Sequence, residues 1–146
     1  MASRIDMPNK EDLLNSIGER LWRYEPVRER DLPLDLAIDE AGVVTVQGYV
    51  PTLTIKEAVL GIVASVAGVA GVVDKVVADP DLEIEIAGRL SHNDATKQLE
   101  PGAVQVFAQL GEVVLVGDLE ESDRRAVVDV ARQTAGVRQI VDRLQG

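Results

Sequence analysis

The single histidine, His92, is where acid–base chemistry would have to start in this sequence. A Ser-His-Asp system needs that imidazole oriented by a carboxylate and paired with an activated serine. No Gly-x-Ser-x-Gly stretch supplies such a serine. His92 falls instead at the exit of a predicted helix, where a basic residue complements the negative end of the helix dipole. The densest acidic cluster, Asp118-Leu-Glu120-Glu121-Ser-Asp123, sets oxygens at near-alternate positions, as a calcium loop does. An EF-hand also requires glycine at its sixth place and a bidentate glutamate at its twelfth. Those places hold Asp123 and Asp129, so the cluster reads as the acidic first turn of the next helix. Gly61, Gly68 and Gly71 are not followed by the lysine and hydroxyl of a phosphate-binding loop. There is no cysteine, which removes thiol catalysis, disulfides and cysteine-held metals. The expectation is a chain with no catalytic residue, no metal and no cofactor.

What does recur at fixed spacing builds structure. Gly42-Val-Val-Thr-Val-Gln-Gly48 returns 69 residues later as Gly111-Glu-Val-Val-Leu-Val-Gly117. Upstream, Ile17-Gly-Glu-Arg-Leu21 answers to Ile86-Ala-Gly-Arg-Leu90 at the same offset. Downstream, Ala67-Gly-Val-Ala-Gly-Val-Val-Asp74 answers to Ala135-Gly-Val-Arg-Gln-Ile-Val-Asp142, 68 residues apart. Three matched blocks in one order mean a duplicated unit.

Hydrophobic periodicity gives each unit the same element order. From Glu11 to about Tyr24, Leu13, Leu14, Ile17 and Leu21 form a helical stripe. Pro26 and Pro33 bracket a charged loop. Leu34, Leu36 and Ile38 alternate with polar or small residues as a half-buried strand does, and Asp39-Glu-Ala-Gly42 turns the chain into the return strand Val43–Val50. Gly48 and Gly117 interrupt their strands, which points to a bulge or a close backbone approach. Thr52 or Thr54 caps a helix reaching about Ala67, Gly68 ends it, and Val69–Val77 is a third strand. The second copy repeats this: helix 81–91, loop 94–101, strands at Val104–Ala108 and Val113–Leu119, helix 120–135, strand Val137–Leu144. The expected order in each of the two units is helix, strand, strand, helix, strand. Gly42, Gly48, Gly68, Gly111, Gly117 and Gly136 are the structural glycines.

The Gly-x-Val-x-Val-x-Gly stretch, the Ala- and Val-rich helix and the Ala-Gly-Val-x-x-Val/Ile-Val-Asp block resemble the BON domain of bacterial osmotic-stress and envelope proteins. Both copies carry the pattern. Over residues 11–79 and 81–145 the resemblance implies an α+β fold of two αββαβ units, each a three-stranded sheet with two helices packed on one face. It also implies a binding domain without catalytic activity, linked in its family to phospholipid binding, envelope integrity and, in one cytoplasmic type, potassium binding.

The net charge of −10 divides evenly. Residues 1–79 hold 8 basic and 13 acidic side chains, and residues 80–146 hold 7 and 12, so each half carries −5. Neither half offers the basic surface that nucleic acid requires, and an anionic membrane repels both on average. The start of the chain lacks an apolar leader core and a lipobox cysteine, so the expectation is a cytoplasmic protein, or an envelope protein if a precursor segment is missing.

One surface departs from the ordinary pattern. Sixteen residues from Ala58 to Val73 carry no charge, whereas the matching helix of the second copy keeps Arg125, Asp129 and Arg132 on its wet side. At the 68-residue offset, Gly61 stands where Asp129 stands and Ala64 where Arg132 stands. Gly61, Ala64, Ser65 and Gly68 form a strip on which another backbone can approach closely. The run is too short for a transmembrane span. A helix without a polar face is covered by something: the other copy, a second subunit, or lipid or a foreign protein. Two functions follow. The first is a module that self-associates or docks on envelope or phospholipid components through this helix. The alternative is a stress sensor binding K⁺, Ca²⁺ or a small ligand through loops such as Asp39–Gly42.

Overall fold

The structure is a computed structural model and describes residues 9–146. The chain forms two compact units that divide between Val76 and Val77. In the first, α1 (Lys10–Arg23) and a short α2 (Glu25–Arg30) precede the strands β1 (Leu34–Ile38) and β2 (Val43–Val50). Helix α3 (Leu53–Ser65) and strand β3 (Gly71–Ala78) follow. The second set is α4 (Asp79–His92), β4 (Gln105–Gln109), β5 (Glu112–Asp118), α5 (Glu121–Arg132) and β6 (Gln139–Gln145). The sheets have the orders β1-β2-β3 and β4-β5-β6. This is the expected α+β architecture, with β1 antiparallel to β2, β4 antiparallel to β5, and β5 parallel to β6.

Each central strand buries alternate residues against its helices, as the period-2 pattern requires. Val44, Val46 and Val50 on β2, Leu13, Ile17 and Leu21 of α1, and Ile55, Val59 and Val63 of α3 are buried in the first unit. In the second, Val113 and Leu115 join Leu82, Ile86 and Leu90 of α4 and Val127, Val130 and Ala131 of α5 in one core. These side chains are almost all aliphatic, in a chain with only 3% aromatic residues.

The segment between Pro26 and Pro33 is not all loop. Pro26 lies in the first turn of α2, where its missing N–H and fixed φ are tolerated, and Val27 is buried from it. Helix α4 begins at Asp79, so β3 runs into it with no linker. Helix α3 stops at Ser65 and its cap residue is Val66, so Gly68 is not the cap. Gly68 occupies the third place of the turn closed by the Val69 N–H on the Val66 carbonyl, with φ +101°.

The repeated glycines have repeated roles. Gly42 and Gly111 close the two hairpins at φ +85° and +87°. Gly48 and Gly117 are close-approach positions, as expected from the interrupted strands. A Cβ at Gly48 would overlap the carbonyl oxygen of Pro33, and one at Gly117 the carbonyl oxygen of Ala103. The repeated aspartates also share a role. On the edge strands β3 and β6, Asp74 accepts from the Val76 N–H and Asp142 from the Leu144 N–H, each at 2.9 Å. An edge whose donors are held by its own side chain is a poor template for further pairing.

Candidate functional site

The start of α3 is set by Thr52, whose hydroxyl accepts from the Ile55 N–H at 3.1 Å. Ile55, Val59 and Val63 recur every four residues and face the core. The opposite face carries Glu57, Gly61, Ala64 and Ser65, all exposed. A Cβ placed on Gly61 would meet nothing within 4 Å. The Ser65 hydroxyl donates to the Ile62 carbonyl at 2.7 Å, and Arg20 Nη1 of α1 lies 3.4 Å from it, which marks one border of the strip. The structure therefore brings Gly61, Ala64 and Ser65 together on one face, one turn from the exposed Glu57. Lys56, one of the two charges of α3, pairs with Asp74 at 3.3 Å.

Leu53 belongs to the same surface and lies outside the uncharged run that begins at Ala58. It is 46% exposed at the first turn. At the 68-residue offset it stands where Glu121 stands, and Glu121 pairs with Arg125 at 2.9 Å on the wet face of α5. The charges of Lys56 and Glu57 conceal Leu53 in a search for uncharged runs, whereas the repeat offset exposes it. Leu53, Gly61 and Ala64 thus replace three charged residues of the second copy.

The remaining polar candidates are engaged locally. His92 is the last residue of α4, exposed, with Nδ1 2.8 Å from the Gly88 carbonyl and 3.2 Å from the Ser91 hydroxyl. Glu121 and Asp123 form the first turn of α5, the acid-favouring end of its dipole. No three carboxylate or imidazole side chains gather as metal ligands among the described residues. Asp39 Oδ1 accepts from the Ala41 and Val43 N–H groups, both at 2.9 Å, and so holds the hairpin turn. A cleft of about 390 Å³ along α5 is lined by Arg124, Arg125 and Arg132 against Glu121, Asp129 and Asp142, so its charges balance.

The duplicated geometry has a counterpart among protein families. The family model described as the BON domain matches residues 32–80 and again 78–145. The chain belongs to the BON-domain family. The first match begins at Leu32, after α1 and α2. No curated protein matches the chain. Two solved structures resemble it loosely. One is from studies of CdsD, a structural protein of the type III secretion system of Chlamydia trachomatis: 17% identity, TM-score 0.41, covering 89% of this chain and 91% of that one. The other is the C-terminal domain of the same protein: 18% identity, TM-score 0.43, covering 94% and 98%. That likeness carries no inference about what this BON protein binds. Among the described residues no helix is long and apolar enough to cross a membrane.

Proposed function

We infer that this protein is a non-catalytic binding module of two BON domains, residues 11–79 and 81–145, which self-associates through the outer face of α3. BON domains are generally non-catalytic. The observation that carries the reading is the exposed row of Leu53, Gly61 and Ala64, where the second copy keeps Glu121, Asp129 and Arg132. Small residues let two helices approach closely, and the exposed Leu53, two turns away across Glu57, adds apolar area to bury.

Light scattering over a range of concentrations tests it. The wild-type chain increases in mass with concentration. The double variant Gly61→Asp/Ala64→Arg restores the second copy's charges and stays a folded monomer, because a charge buried at such a contact without a partner costs about 3–5 kcal/mol. A wild-type chain that remains monomeric at every concentration overturns self-association. Vesicle flotation of the same pair then reports whether envelope or phospholipid components occupy the face. The sensor alternative has less support, because Asp39 Oδ1 already accepts two backbone N–H groups. Calorimetric titration with K⁺ and Ca²⁺ separates the two readings.

A further inference from the structure

The two copies differ at the groove between their first helix and their first strand. In the first copy Leu32 and Val27 are buried there. Pro33 lies opposite Gly48 as Ala103 lies opposite Gly117, so the residue that answers to Leu32 is Gly102. Gly102 is exposed, and a Cβ on it would meet nothing within 4 Å. Thr96 answers to Val27 and is turned away to bond the Leu90 carbonyl. Ser91 answers to Trp22 at the 69-residue offset. With the buried leucine replaced by glycine, a cleft of about 380 Å³ opens beside Leu90, Leu99, Val104 and Val106, and Ser91 lines it where the first copy has the half-exposed Trp22.

That cleft borders an edge strand. The Ala108 N–H points away from β5 and is taken by Glu83 Oε2 of α4 at 2.8 Å. Alternation along the strand turns the N–H and C=O of Val106 to the same free edge, while the Val106 side chain enters the cleft. A free strand edge beside an apolar pocket under a helix is the arrangement that captures an extended peptide by strand addition. At the mouth, Lys97 is neutralised by Asp94 at 2.9 Å. Glu100 has no ion pair among the described residues, so the mouth is acidic.

We propose that the groove between α4 and β4 binds an extended peptide, which adds a strand to the edge at Val106, seats an aliphatic side chain in the cleft and sets a basic side chain against Glu100. None of the groove's residues belongs to α3, so its test and the self-association test fail independently.

The probes are two blocked, fluorescein-labelled heptapeptides, one alternating valine with arginine and one alternating valine with glutamate. Anisotropy titrations with the full chain should show saturable binding of the arginine peptide, with the glutamate peptide weaker by about tenfold or more. Ser91→Trp places the first copy's residue over the cleft without changing any charge. It should lower affinity for the arginine peptide by about tenfold while the melting temperature is kept. Glu100→Lys should reverse the preference between the two peptides. N-methylation of alternate amides, which blocks strand pairing, should abolish binding. The proposal is overturned by unchanged binding in Ser91→Trp, which would mark a diffuse attraction to an acidic protein. Equal binding of the N-methylated peptide, or no saturable binding up to about 1 mM, overturns it as well.

Discussion

A methyl group added to Gly48 and one added to Gly61 meet opposite surroundings. The first overlaps the Pro33 carbonyl on a backbone with φ +146°, and the second projects from an exposed helix face into open space. Gly48→Ala should therefore destabilise the protein toward the upper end of the roughly 1–3 kcal/mol typical of overpacking, and Gly117→Ala should behave likewise against Ala103. Gly61→Ala should stabilise by about 0.5–1 kcal/mol, because glycine in a helix interior is the costlier residue. Urea denaturation followed by circular dichroism measures all three, and a common sign would contradict the contrast. His92→Ala should change stability by less than about 0.5 kcal/mol, since its ring makes only exposed local contacts. At this scale the sequence was readable where a residue recurs at the repeat offset. Gly68 was misplaced by two residues because its positive φ serves a turn that follows the cap, and spacing alone does not separate those two uses.

Helices α3 and α5 occupy the same place in the repeat with different chemistry at both start and surface. Thr52 caps α3 with its hydroxyl, whereas Glu120, at the start of α5, makes no side-chain cap bond. Thr52→Ala should cost about 1 kcal/mol, the usual value of a hydroxyl cap, and Glu120→Ala clearly less. Thermal unfolding of the two variants makes the comparison, and equal losses would show that the cap bond contributes nothing. The strands and the long helices were legible because period-2 and 3.6-residue patterns are strong over their lengths. Helix α2 was not, because its charged residues mask Val27 and because two prolines argue for a loop until one of them is seen in the first helical turn. The open groove beside α4 was also hidden. Loop 93–103 is one residue longer than its counterpart, so Leu32 pairs with Gly102 only once Pro33 and Ala103 are seen facing equivalent glycines.

Across the whole chain, charge limits what the outer face of α3 can meet. The protein carries −10, divided equally between its halves, and Lys56 on α3 is already paired with Asp74. No cationic side chain of that helix is left to attract phosphate headgroups, and the average field repels an anionic surface. At physiological ionic strength the repulsion decays over about 8 Å, and at a tenfold lower salt it reaches roughly three times as far. Any docking through Leu53, Gly61 and Ala64 must then come from apolar burial and close packing, which salt does not weaken. Flotation with zwitterionic vesicles and with vesicles holding anionic lipid should show no enrichment on the anionic ones, and less binding to them as salt is lowered. Binding that is selective for anionic vesicles and strengthens at low salt would require a local cationic patch, which α3 lacks. That result would exclude α3 as the contact and transfer the membrane role to a different part of the chain.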